Sequence, residues 1–211
     1  MDFRHLLALA LLLPFSAGAT PPAAVVPESE AQAVEVAPAQ RVRMVTTMGE
    51  IVIELDAAAA PRTVENFLAY AREGHYNGTV FHRVVPGLLV QGGGFTPDLQ
   101  PKPSRAPIPN EAGNGLLNRR GAIAAARDRG VVESATTQFF INLADNPNLD
   151  PSAGDSPYTA GYAVFGRVVL GMDVVDRIAA TPTGAQGAFS GWVPTTPVLI
   201  ERIDLLEPAA P

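Results

Sequence analysis

The sequence predicts a mainly β fold, an antiparallel sheet closed into a barrel with two α-helices capping its open ends. Three observations lead there. Short apolar runs of strand character recur along the chain, their connections are rich in glycine and proline, and only two segments carry a helical period. Two helices are too few to alternate with that many strands, as a parallel α/β sheet requires. The 211 residues, 47% hydrophobic and only 17% charged, suffice for one domain with a sizeable core once the N-terminal end is set aside.

That end reads as an address rather than as structure. Residues 1–19 carry Arg4 and His5, then an apolar run over residues 6–13, then Ala17-Gly18-Ala19 as a small-residue cleavage site, the three parts of a secretory signal. Pro14 breaks the run far short of the roughly 20 apolar residues that a membrane anchor needs. Residues 20–40 are rich in Ala, Pro and Glu and contain no aromatic residue. They read as a disordered linker, either a fraying arm or a spacer, because they bury too little to order themselves. The folded domain is assigned to residues 41–211.

Its elements follow in order. Val42, Met44 and Thr46 alternate with polar neighbours, as do Ile51, Ile53 and Leu55, with residues 47–50 between them as a hairpin turn. A helix comes next. Pro61 suits its first turn, Val64, Phe67, Leu68 and Ala71 make one apolar stripe, and Gly74 ends it. Short strands are predicted over residues 79–85, 88–92, 121–126, 138–143, 163–168 and 198–205, and a second helix over residues 172–179. The irregular stretches 96–117 and 145–161 exceed what connection requires, which marks them as rims of a binding surface.

Composition removes several function classes. A formal net charge of -6 with scattered acidic residues leaves no electrostatic footprint for nucleic acid. The lone lysine, Lys102, reflects composition rather than function. Zero cysteines rule out disulfides, thiol nucleophiles and thiolate metal sites. Three histidines without cysteine form no metal constellation, and no Gly-x-Ser-x-Gly elbow is present. Gln91-Gly92-Gly93-Gly94 is a weak match to a phosphate cradle, since neither a helix nor a Walker lysine follows it. No cofactor or metal is called for.

The chemistry gathers around Arg83. This permanent cation is set among Val84, Val85, Leu88, Leu89 and Val90, where it loses hydration, so it is either paired internally or held ready for a ligand. Three segments share one grammar, large apolar side chains with a single hydrogen-bonding group: Phe81-His82-Arg83 through Gln91, Ala125-Ala126-Arg127, and residues 137–142 with Gln138, Phe139, Phe140 and Asn142. Together they suit a hydrophobic pocket with a few aimed polar groups.

Phe81-His82-Arg83-Val84-Val85-Pro86-Gly87, Gln91-Gly92-Gly93-Gly94-Phe95, Gln138-Phe139-Phe140-Ile141-Asn142 and Val164-Phe165-Gly166, flanked by Asn110-Glu111-Ala112 and Arg120-Gly121, resemble the signature blocks of the cyclophilin-type peptidyl-prolyl cis-trans isomerases. The resemblance runs from about Arg43 to Leu206 and is strongest to the exported cyclophilins of Gram-negative bacteria. It implies a closed barrel of about eight strands, and catalysis of rotation about X-Pro peptide bonds in X-Pro-containing peptides and unfolded exported proteins. It also implies a periplasmic location, no membrane association after signal removal, and a monomer.

Arg83 and Gln91 are then the catalytic pair. Arg83 donates to the prolyl nitrogen as the bond twists, and Gln91 either holds the guanidinium or bonds the substrate backbone. By resemblance Phe140 forms the floor of the proline socket, with Leu88 and Leu89 as walls, and Phe139 points into the core. Ala126, backbone groups near Arg127, and the Gln138 side chain hold the peptide before proline; Leu149 and Tyr162 complete the lining. His82 is placed in this set as a structural, hydrogen-bonded residue, since isomerisation needs no acid or base. Leu88 stands where most members carry Phe, Asn148 where animal members carry Trp, and Tyr162 where His is frequent, which implies weak sensitivity to cyclosporin. Trp192 is read as a packing residue. The alternative from another class is a non-catalytic chaperone or adaptor that binds Pro-containing segments.

Overall fold

The computed structural model describes residues 40–207. The export signal assigned to residues 1–19 lies outside the described residues, as does the linker except for Gln40, which opens the first strand.

β1 (Gln40–Thr46) and β2 (Gly49–Leu55) form the expected hairpin, with Gln40 opposite Leu55 and Thr46 opposite Gly49. The turn is tighter than the four residues read from the sequence. Thr46 Oγ1 donates to the Gly49 carbonyl at 2.7 Å and accepts the Met48 N–H at 3.1 Å, which folds the corner into two residues. Val42, Met44, Ile51, Ile53 and Leu55 all point inward, the period-2 pattern of a half-buried strand.

α1 (Pro61–Arg72) starts on Pro61 and buries Val64, Phe67, Leu68 and Ala71. Ala60 at its N-cap has no side chain to offer the first N–H groups, so a distant carboxylate serves instead. Glu111 accepts from the Arg62 N–H at 3.1 Å, the Thr63 N–H at 2.8 Å and Thr63 Oγ1 at 2.7 Å, placing a negative charge at the positive end of the helix. At the other end Gly74 takes φ +68°. This lets the Gly74 N–H reach the Ala71 carbonyl and the His75 N–H reach Tyr70, each at 3.0 Å, a closing motif that favours glycine.

The remaining elements are β3 (Thr79–Val85), β4 (Leu89–Gly92), β5 (Ala122–Ala125), β6 (Phe139–Asn142), β7 (Val164–Leu170), α2 (Met172–Ala179), β8 (Thr183–Gln186), β9 (Phe189–Pro194) and β10 (Leu199–Leu206). Eight strands close a barrel in the order β1-β10-β3-β4-β6-β5-β7-β2, with antiparallel neighbours throughout. Its interior is filled by Phe81, Val84, Val90, Ile123, Phe139, Ile141, Phe165 and Ile200, onto which both helices lay their apolar faces, Val174, Val175 and Ile178 in the case of α2.

Between β3 and β4 the chain turns through Val85-Pro86-Gly87-Leu88, the Leu88 N–H bonding to the Val85 carbonyl at 3.0 Å and Gly87 at φ +73°. Proline then glycine at the central positions is the signature of a type II turn. Leu88 therefore belongs to the turn, one residue outside the strand predicted from the pattern.

The hairpin β8–β9 is an element that the apolar pattern does not announce, being short and rich in Gly, Thr and Ala. Trp192 corrects a second expectation. Gly184 lies opposite Val193 and Gln186 opposite Phe189, so β9 carries two extra residues in a bulge. Within it Trp192 adopts φ +64° and is 49% exposed rather than packed.

Candidate active site

A register irregularity in β3 creates the site. Phe81 lies opposite Gly92 but Arg83 lies opposite Gln91, so His82 is an extra residue, a β-bulge. Phe81 and Val84, three apart, consequently both enter the core, and Arg83 is left facing outward. The register then continues across the sheet: Arg83 opposite Gln91, Gln91 opposite Phe140, Phe140 opposite Ala124. One row of side chains thus runs from a cation to an apolar patch.

Those side chains are linked. Arg83 Nη1 donates to Gln91 Oε1 at 3.3 Å, and Gln91 Nε2 donates to Gln138 Oε1 at 2.9 Å. Of the two roles read for Gln91, the contact to the guanidinium is the one made here, with its acceptor turned to Arg83. Among the described residues no carboxylate lies within ion-pair distance of Arg83. A half-buried guanidinium held by one neutral oxygen keeps its charge and most of its donors available.

The glycine run beside Gln91 packs rather than cradles an anion. A Cβ on Gly93 would lie 2.9 Å from the Phe139 ring, and one on Gly94 only 2.5 Å from Gln138 Cγ. Gln138 therefore reaches Gln91 across a backbone that tolerates no side chain.

Beyond the polar row lies a second apolar cluster, separate from the interior. Leu89, Ala122, Ala124, Phe140 and Val164 are its buried part, with Leu88, Leu116, Ala126, Leu149 and Tyr162 packed around them half-buried. The structure thus brings together six of the expected lining residues: Leu88, Leu89, Ala126, Phe140, Leu149 and Tyr162. The Tyr162 ring meets Phe140 edge-on at 5.5 Å and 80°, the arrangement that aromatic quadrupoles favour. Phe139, next to Phe140, faces the interior as alternation requires.

His82 stands apart. It is 3% exposed and sits against Phe95 at 4.6 Å and Phe189 at 5.8 Å, behind Arg83 rather than in the apolar cluster. Its Nδ1 is buried without a hydrogen-bond partner, so the hydrogen-bonded role expected there is not met at that atom. Burial pushes its pKa down to about 4, with the Arg83 charge acting in the same direction. The bulge explains the placement: it gives β3 two successive residues outside the interior cluster, Arg83 facing outward and the His82 imidazole lying against the Phe95 and Phe189 rings.

Three amides hold the rim: Asn142, which the sequence reading named, and Asn118 and Asn146, which it did not. Asn118 Nδ2 donates to the Leu149 carbonyl at 3.1 Å and to the Tyr162 carbonyl at 3.4 Å. Asn142 Nδ2 donates to Asn118 Oδ1 at 3.2 Å, while Asn146 Nδ2 donates to Asn142 Oδ1 at 2.8 Å and to the Leu88 carbonyl at 3.0 Å. One buried chain of amides therefore fixes the β3–β4 turn that carries Leu88 and both ends of the β6–β7 connection, which carry Leu149 and Tyr162. The available sequence signal was Asn142 at the end of an apolar strand, since a buried amide must find partners. Arg127 lies beside the same rim, but its guanidinium is bonded to protein carbonyls at Gly161 and Pro157, both at 2.8 Å.

Comparison with known proteins agrees with this geometry. The family described as "Cyclophilin type peptidyl-prolyl cis-trans isomerase/CLD" matches residues 41–204. The chain is 52% identical to peptidyl-prolyl cis-trans isomerase cyp18 of Streptomyces antibioticus over 165 residues, 78% of this chain and 98% of that protein. It is 50% identical to peptidyl-prolyl cis-trans isomerase B of Escherichia coli over 162 residues, 77% of this chain and 97% of that protein. A cyclophilin type isomerase of Cryptosporidium parvum, solved in the presence of the dipeptide Ala-Pro, superposes with a TM-score of 0.67 at 25% identity, covering 80% of this chain and 99% of that one. The barrel, its order of strands and these relatives lead to one conclusion: the chain belongs to the cyclophilin-type peptidyl-prolyl cis-trans isomerases and is an enzyme of that activity on proline-containing peptides.

Proposed function

We propose that Arg83 is the catalytic donor, that Gln91 sets its position, and that the outer apolar cluster is the socket for the proline ring. The observation that carries this is the uninterrupted row Arg83, Gln91, Phe140, Ala124 on one face of the sheet. Rotation about an X-Pro bond faces a barrier of about 18–20 kcal/mol because it breaks amide conjugation. As conjugation is lost, the prolyl nitrogen regains its lone pair and becomes a hydrogen-bond acceptor. A guanidinium free of carboxylates binds that twisted state better than either planar isomer, which is what lowers the barrier. Leu88, Leu89, Phe140, Leu149 and Tyr162 fix the ring, and Ala126 and Gln138 border the path of the residues before it. A ligand on the scale of Ala-Pro, as in the Cryptosporidium parvum relative, suits a socket of this make-up.

The natural substrates are X-Pro bonds of unfolded exported proteins in the periplasm, and the working form is a monomer. The three-part pattern of residues 1–19 supports export. N-terminal sequencing of the secreted form checks it, with Thr20 expected as the first residue.

The role of Arg83 is tested by a protease-coupled assay on a short X-Pro peptide. Arg83→Ala is expected to lose at least about 100-fold in kcat/KM, the scale of removing one transition-state donor, with an unchanged circular dichroism spectrum. Wild-type turnover in that variant sinks the assignment. Suppression of client aggregation by Arg83→Ala at wild-type level would separate chaperone binding from catalysis.

A further inference from the structure

Arg127 lies two residues beyond the end of β5, in the β5–β6 connection beside the outer cluster. Its side chain is committed within the protein. Nε donates to the Gly161 carbonyl and Nη2 to the Pro157 carbonyl, each at 2.8 Å, while Nη1 donates to the carbonyls of Asp128 at 3.1 Å and Arg129 at 3.4 Å. Four of its five donors are thereby occupied, by carbonyls of two different loops. Among the described residues it has no carboxylate within ion-pair distance.

The same guanidinium lies over the Tyr162 ring, 4.8 Å from its centroid. That ring meets Phe140 with its neighbouring surface at 5.5 Å, so Tyr162 is in contact with the cation and with Phe140 at once. The backbone beneath it is equally constrained. The Tyr162 N–H bonds to the Leu149 carbonyl at 3.0 Å, and Gly161, at φ +67°, has no room for a Cβ, which would lie 2.4 Å from the Pro151 nitrogen.

We propose that Arg127 is a positioning residue that acts through Tyr162: it braces the ring so that it stands as a fixed wall of the proline socket, and does not itself touch substrate. The proposal rests on the outer cluster being that socket. A planar fork with five donors can bond two loops and stack on a ring simultaneously; a lysine ammonium can do one or the other.

The test combines X-Pro peptide titration, followed by aromatic 13C–1H NMR, with coupled kinetics on wild type, Arg127→Ala, Arg127→Lys, Tyr162→Ala and the double variant Arg127→Ala/Tyr162→Ala. Both Arg127 variants are expected to weaken peptide binding by roughly 5–10-fold, the scale of a single coupled contact, and to displace the Tyr162 ring signal in the absence of peptide. The double variant is expected to bind no more weakly than Tyr162→Ala alone. Wild-type affinity in Arg127→Lys, or additive losses in the double variant, overturns the bracing role. Arg127→Lys keeps the charge and supplies the answer should Arg127→Ala fail to fold. A wild-type titration in which the Phe140 and Tyr162 signals do not respond to peptide identifies the socket reading as the failure, and the bracing role falls with it.

Discussion

The two faces of the barrel wall solve opposite problems with the same residue type. Phe139 points inward onto Phe67, Tyr76 and Phe81, at 5.8, 5.7 and 6.3 Å between ring centroids, all edge-on. Phe140, the next residue, points outward to Tyr162 and the small side chains of Ala122 and Ala124. The inner face is packed from every direction by strands and helices. Outside, loops hold the aromatic in place, and they in turn are fixed by hydrogen bonds rather than by apolar packing. The closed core therefore lies on one side of a single strand and the proposed proline socket on the other, separated by the alternation of Cβ directions alone.

The strongest way to break this comparison is to truncate each ring in turn. Phe139→Ala is expected to lose about 3–5 kcal/mol of stability, the range for a large aromatic removed from a closed core. Phe140→Ala is expected to lose clearly less in denaturant unfolding, yet more in affinity for X-Pro peptide. Equal stability losses with equal peptide binding would mean that the two faces are not functionally distinct.

Acid sharpens it next. His82 has a pKa near 4 when folded against about 6.5 for an unperturbed imidazole. Burial holds His75 low as well, with the Lys102 charge contributing. Between those two values the unfolded chain binds more protons than the native one, so stability rises with pH there and falls as acid is added. For His82 the full loss between pH 6.5 and 4 is about 3 kcal/mol, and His82→Gln should flatten that part of the stability profile. With Arg83 as the proposed donor and no acid or base in the reaction, turnover should stay level wherever the protein remains folded. A limb in kcat/KM near pH 4, in protein still folded, that vanishes in His82→Gln would move the imidazole from packing into the mechanism.

The smallest of these effects is expected at Gly94, where the two faces touch. A methyl group there would lie 2.5 Å from Gln138 Cγ, displacing the amide that holds Gln91. Gly94→Ala should lower kcat/KM by roughly 10-fold, given that shifts near 1 Å at a catalytic group cost up to about 100-fold. Its unfolding midpoint should move little. Unchanged turnover would show that the Gln138–Gln91–Arg83 relay is not needed to aim the guanidinium.

How much of this was legible beforehand divides along the same line. Strands whose apolar residues alternate, such as Val42 and Met44 opposite Ile53 and Ile51, declare themselves because the period of the side chains is the period of the backbone. α2 was read to its observed ends for the same reason, its apolar face having a helical period. The candidate residues Arg83, Gln91, Phe140 and Tyr162 were named by motif, which supplies order along the chain but not contact across it. What the pattern could not convey were features fixed by partners distant in sequence. Glu111 caps a helix that begins 50 residues earlier. Asn118 ties together two distant points, Leu149 and Tyr162, of one later connection. The His82 bulge exists only relative to β4, and Trp192 faces solvent because β9 has more residues than β8. Each depends on pairing, and local sequence has no period that encodes pairing.

Closure of the eight-stranded ring also bears on the company this enzyme keeps. A sheet with margins offers rows of unmatched N–H and C=O groups onto which an extended polypeptide can be added as one more strand. Because β1 and β2 pair on both sides, as do the other six strands of the ring, that template is missing from the barrel. A proline-bearing chain that meets the barrel finds no seam there along which the two backbones could zip together; among the described strands only the β8–β9 hairpin keeps open margins.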